Sequence, residues 1–290
     1  MIYSIENEKI KLSISDLGAE MQSIINKSNG AEYLWQGDEK YWSGRAYNLF
    51  PICGRFYEGK YTYRGKEYEM KIHGFARASV FDVVEQSENS ITFELKANQE
   101  TLAQYPFVFT YRITYIIEGN KIKTVYSVKN EGKDEMFFAV GAHPGFNVPL
   151  SDGEKFDDYY IEFDCVKPIE MLVLDIFYSG RNEPYALKDG KIYELSHKVF
   201  DEKSQFFTNM CASLTLKSKK SNAFVRMEFP GFRNLGFWQA PNLNSPYICI
   251  EPWTSLPSDD GRIDDLETKR QMEKLGGGEE FSIDFDIIIG

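Results

Sequence analysis

A chain of 290 residues, 42% hydrophobic and 27% charged, can build a sizeable core and does not have the composition of a disordered protein. Its formal net charge of -11 argues against nucleic acid or an anionic membrane surface as partner, since an acidic protein repels both polyanions. No apolar run approaches the roughly 18 residues of a membrane helix, and the opening MIYSIENEKI has no basic or apolar signal region, so a cytoplasmic protein is expected.

From the amino end, period-two alternation sets Ile10, Leu12 and Ile14 on one face and then Ile91, Phe93 and Leu95 on another, the pattern of half-buried strands. YRITYIIEGNKIKTVYSVKNEG follows as two β-rich runs joined at Glu118-Gly119-Asn120, which predicts a hairpin. Further strands are expected at YYIEFD, ASLTLKS, AFVRMEF, YICIE and FSIDFDIII, with the basic stretch Lys217 to Lys220 as a solvated turn. DDLETKRQMEKLGGG is the one segment that reads as helix, carried by Leu266, Met272 and Leu275 and stopped at Gly276 to Gly278. The expected fold is all-β, an antiparallel β sandwich, with residues 1–290 forming a single domain. The four cysteines, Cys53, Cys165, Cys211 and Cys249, form no CxxC pair and are expected to be small buried hydrophobes kept reduced.

No phosphate-cradling loop or nucleophile elbow occurs. Three segments do combine ionisable groups with chain punctuation. FPICGRFYEGKYTYRGKEYEMKIHGFAR carries Arg55, His73 and Arg77; GAHPGFN carries His143; YICIEPWTSLPS carries Glu251. His143 and Glu251 each follow an apolar run and precede a proline, which disfavours helix and lacks an N–H, so both are expected at strand ends facing a cleft. A carboxylate and an imidazole sharing one pocket can serve as general base and general acid. A two-histidine, one-carboxylate metal site of His73, His143 and Glu251 and a non-catalytic binding domain are the rival readings. Arg77 reads as a surface ion pair, with a bidentate contact to a phosphate as the alternative. His197, among polar neighbours, reads as surface.

Taken together, GAEMQSIINKSNGAEYLW, GRFYEGKYTYRGKEY, HGFAR, GAHPGFNVPL, CIEPWTSLPS and LGGGEEFSIDFDI resemble, in order and spacing, the aldose 1-epimerase (galactose mutarotase) family, in its LacX-like branch. The resemblance implies a large β supersandwich and an isomerase that interconverts the α and β anomers of a small-molecule sugar without metal or other cofactor, with a hexose 6-phosphate epimerase or a non-catalytic carbohydrate-binding domain as the alternatives. It implies that His143 is the general acid and Glu251 the general base, that Arg55 and His73 bind substrate, and that Trp238 lies near the sugar. Gly54 stands where many members carry an asparagine. The acid that holds sugar hydroxyls in the family has no matching motif here; Asp201, in KVFDEKSQFF, lies in the corresponding region.

Overall fold

The computed structural model describes residues 1–174 and 176–290. Two large antiparallel sheets dominate. The nine-stranded sheet runs Ile192–Glu194, Tyr159–Phe163, Ser213–Ser218, Phe224–Glu228, Glu280–Ile289, Lys121–Asn130, Phe109–Glu118, Ser90–Lys96 and Asp82–Gln86. The seven-stranded sheet runs Tyr178–Tyr185, Ile169–Leu174, Gln205–Thr208, Asn234–Trp238, Tyr247–Trp253, Gly141–Asn147 and Ala46–Leu49. Smaller sheets flank them, among them a three-stranded meander of Ile2–Glu6, Ile10–Ser15 and Met21–Asn26.

The alternating runs fold as their period dictates. Ile10, Leu12, Ile14, Ile91 and Phe93 are fully buried, and Gly119-Asn120 closes the hairpin between strands paired from Lys121 opposite Glu118 to Asn130 opposite Phe109. Aromatic side chains fill the space between the two sheets: Phe50 stacks on Tyr111 at 4.5 Å, and Phe163 meets Phe237 at 6.3 Å. One polar residue is placed there at low cost. Asn48, 2% exposed, has its amide nitrogen within hydrogen-bond distance of Gly18 O, Ala19 O and the Tyr115 hydroxyl and accepts from the Tyr126 hydroxyl, so both ends of the buried amide have partners.

Three expectations are corrected. The segment read as helix contains strands instead: Asp264–Asp265 pairs in parallel with Lys60–Tyr63, and Glu273–Leu275 pairs with Met136–Phe138. Leu266, Met272 and Leu275 are buried as the stripe requires, but Lys269 is buried too and Gln271 has φ +59°, which breaks a helix between them. Cys165 and Cys211 form a disulfide; only Cys53 and Cys249 are free and buried. The bridged positions lie 46 residues apart in sequence, a separation that carries no signal until the fold sets their Cα atoms 6.0 Å apart. His197 is half-buried, its ring stacked on Phe156 at 4.0 Å and its Nδ1 beside the Gln239 amide. Among the described residues no helix is long and apolar enough to cross a membrane.

Candidate active site

His143 and Glu251 sit on neighbouring strands of the seven-stranded sheet. Gly141 lies opposite Trp253 and Gly145 opposite Cys249, so counting two residues inward from either end sets His143 directly across from Glu251. Directly opposed residues in an antiparallel pair share a face. Neither residue ends its strand, contrary to the sequence expectation. Pro144 and Pro252 fall in the gap in that ladder, where a missing N–H breaks no pairing, while on their other flanks they align with Ala46 and Leu235.

The residues around the histidine make room for the site. Gly141 and Gly145 lie two positions to either side, on the same face as His143. A Cβ on Gly141 would sit 2.8 Å from both Cys53 Sγ and Trp253 Cδ1, and one on Gly145 would sit 3.1 Å from the Trp42 ring. Trp42 lies 5.0 Å from the His143 ring at a tilt of 34°, and Trp238 meets the same ring edge-on at 5.6 Å. Gly145 thus leaves room for the Trp42 indole against the imidazole, and Gly141 leaves room for Trp253.

His143 Nε2 approaches Glu251 Oε1 at 3.3 Å, with the side chains 9% and 2% exposed. There is no sugar-sized gap between them. Glu251 Oε1 and His143 Nδ1 are buried without a hydrogen-bond partner, which leaves both groups with unused capacity. Burial pushes the Glu251 carboxyl well above the usual carboxylate range and, aided by the nearby Arg77 charge, holds the His143 imidazole far below its own. The favoured form in the closed site is therefore neutral, with the proton on Glu251 and a free imidazole at His143. Moving that proton across 3.3 Å gives the carboxylate–imidazolium form with the same total charge.

His73 completes one wall. It occupies the left-handed region at φ +65°, and its backbone N–H donates to Gly54 O at 2.6 Å while the Gly54 N–H donates to His73 Nδ1 at 3.1 Å. A backbone N–H can only donate, so Nδ1 is the acceptor. Burial, with His143, Arg77 and Arg55 adding to it, keeps the ring neutral and well below its ordinary pKa, which leaves its proton on Nε2. Gly54 fits where an asparagine would not: at φ +70° its Cβ would lie 2.6 Å from Pro257 Cγ.

A cavity of about 510 Å³ brings together His143, Glu251, Arg55, His73 and Trp238. Asp201 also lines it, with Oδ1 accepting from the Asn242 N–H at 2.6 Å. Arg77 is not the surface ion pair expected. It is half-buried at the cavity wall, with its guanidinium 5.0 Å from the Tyr47 ring centre. Sequence reasoning missed that Trp42 and Tyr47, in KYWSGRAYNLF, and Trp253 line this cavity; aromatic residues without a motif are indistinguishable from core. Among the described residues, the metal-ligating atoms that come together are not those of His73, His143 and Glu251 but of His143, Cys249 and Glu251, within 4.8 Å of one another. Burial, reinforced by Glu251, keeps the Cys249 thiol protonated.

A mostly antiparallel β fold that sets a buried carboxyl–imidazole pair in the lining of an aromatic-walled cavity defines a class of protein with groups able to exchange protons with a bound small molecule. The family model described as Aldose 1-epimerase matches residues 1–259, and the chain belongs to that family. It is 36% identical over 288 residues to the plasmid LacX protein of Lactococcus lactis subsp. lactis, covering 95% of each chain. Among solved structures, a galactose mutarotase related enzyme from Lactobacillus acidophilus is 34% identical with a TM-score of 0.94, covering 100% of this chain and 97% of the other. A galactose mutarotase-like protein from Lactobacillus casei ATCC 334 is 32% identical with a TM-score of 0.95, each chain being covered in full.

Proposed function

We propose that the protein is an aldose 1-epimerase that interconverts the α and β anomers of a free sugar, with Glu251 and His143 exchanging protons with the hemiacetal. The observation that carries this reading is the 3.3 Å approach of Glu251 Oε1 to His143 Nε2 within the cavity. Ring opening removes a proton from the C1 hydroxyl and supplies one to the ring oxygen. Both oxygens are bonded to C1, so they lie closer together than two hydrogen-bonded atoms. A base and an acid side by side, rather than at opposite edges of the ring, suit that geometry.

In the carboxylate–imidazolium form Glu251 takes the C1 hydroxyl proton and His143 protonates the ring oxygen as the C1–O5 bond breaks. The enzyme is then in its neutral form, the one that burial favours. After rotation about C1–C2, Glu251 returns a proton to the aldehyde oxygen and His143 takes one from the C5 hydroxyl as the ring closes on the other face. No net proton, electron or group is gained or lost. His73 Nε2–H and the Arg55 guanidinium bind hydroxyls and offset charge developing on oxygen, and Trp238 offers its face to the apolar side of the pyranose.

Arg55 and Arg77 both line the cavity, which favours including hexose 6-phosphates among the substrates tested. The test is polarimetric: fresh α-anomers of glucose, galactose and hexose 6-phosphates should lose optical rotation faster in proportion to added protein. Sugar binding, seen by calorimetry, with no faster decay for any of them would instead identify a carbohydrate-binding protein.

A further inference from the structure

The tail of the glutamate motif, Thr254-Ser255-Leu256-Pro257-Ser258, takes no part in the chemistry above, yet all five residues are buried. Polar groups there have to be satisfied from within. The Thr254 hydroxyl donates to Val140 O and accepts from the Val140 N–H, both at 3.0 Å. The Ser255 hydroxyl donates to Arg270 O at 3.3 Å, and that of Ser258 to Asp264 Oδ2 at 2.6 Å.

Into this turn reaches Lys269, whose side chain is 3% exposed. Its ammonium donates to Leu256 O at 2.7 Å and Pro257 O at 3.4 Å, and lies 3.9 Å from Asp264 Oδ2. A cation buried this deeply is costly unless the groups around it are fixed to receive it. The same turn backs the cavity wall. Pro257 lines the cavity and packs against Gly54, whose N–H holds His73 Nδ1; the Ser258 N–H donates to Arg55 O at 2.9 Å. Lys269 itself does not line the cavity.

We propose that Lys269 is a positioning residue: from behind the cavity its ammonium holds the Leu256–Pro257 turn against Gly54, and so sets Arg55 and His73 for sugar binding without touching the sugar. This rests on the reading above only in taking Arg55 and His73 as sugar-binding groups. The link from Lys269 to Gly54 does not depend on any activity.

The hold depends on charge. Burial lowers the Lys269 ammonium to about 8, opposed by Asp264, Cys53 and Asp259 and assisted by Arg270, the titratable groups that face it. As pH rises through that value the ammonium becomes an amine, a weaker donor, and the turn loses its charge-assisted bonds.

Two measurements on the full chain test this. The first follows the backbone amide signals of Gly54, His73 and Ser258 by heteronuclear NMR between pH 7 and pH 9.5. In the native protein they should shift with one midpoint near that of Lys269; in Lys269→Met the transition should be absent. The second measures mutarotation of the best substrate. Lys269→Met should raise KM about tenfold at pH 7, the scale of a lost charged hydrogen bond, with kcat within about twofold. Native KM should climb from pH 7 to pH 9 while that of Lys269→Met stays level.

Amides that do not respond in the native protein overturn the proposal, even if Lys269→Met fails to fold. A fall in kcat with unchanged KM also overturns it. Responsive amides in a protein that turns over no sugar would leave the positioning link standing and remove the mutarotase reading instead.

Discussion

Glu251→Gln is expected to lower kcat for anomer interconversion by about 10²- to 10⁴-fold, the range for loss of one general acid/base group. Glutamine keeps the shape of the side chain but can neither take the C1 hydroxyl proton nor return one to the aldehyde. His143→Asn should cost a similar factor. Because the two groups exchange protons with the same carbon's oxygens, the double variant should be far less impaired than the product of the single losses. KM should change little, since Arg55, His73 and Trp238 are untouched. Initial rates of optical-rotation decay, corrected for the uncatalysed reaction, check this. Either single variant turning over at the native rate would remove that residue from the mechanism.

The second large effect concerns folding. Gly74→Ala is expected to destabilise the protein by at least about 4 kcal/mol, at the upper end of single-residue effects. Gly74 has φ +73°, where a side chain costs about 1–2 kcal/mol. More seriously, a Cβ would lie 2.2 Å from Phe50 O and 2.6 Å from Phe50 C, both backbone atoms that cannot rotate away. Phe50 O already receives the Phe75 and Ala76 N–H groups at 3.1 and 3.2 Å, so shifting it disturbs both chain segments together. Since His73 directly precedes Gly74, any folded variant should also bind sugar more weakly. A urea denaturation midpoint equal to that of the native protein would contradict this account of the turn.

These two sites differ in how far the sequence discloses them. HP and EP after apolar runs mark His143 and Glu251 because proline punctuation is a local property. That the two face each other is not local: it depends on the register between strands far apart in the chain, which only packing of the sandwich sets. The prolines mislead for the same reason. Alone, each looks like a strand end; side by side, each falls where its neighbour needs no N–H. Alternation disclosed the strands around Ile10–Ser15 and Ser90–Lys96 because one face of each must be buried. It failed between Asp264 and Leu275, where apolar residues three and six apart mimic a helix while buried Lys269 ties the chain to the Leu256 and Pro257 carbonyls. Trp42 and Tyr47 escaped notice because an aromatic residue that lines a cavity carries the same local signal as one that fills a core. The Cys165–Cys211 bridge was hidden because pairing follows from proximity in space, and spacing in sequence says nothing of it.

The account turns on one proton held by a buried carboxyl–imidazole pair, and the pH dependence of kcat/KM tests it most directly. The signs follow from burial. Glu251, raised, keeps the pair's proton as pH climbs beyond the ordinary carboxylate range; His143, lowered, refuses a second proton as pH falls through the ordinary imidazole value near 6.5. The singly protonated pair is therefore the populated state across that value, and both of its forms are on the reaction path. The predicted result is a kcat/KM that stays level from pH 7 down to pH 5. An acid limb with its midpoint near 6.5, the behaviour of a solvated histidine acting alone, would contradict it.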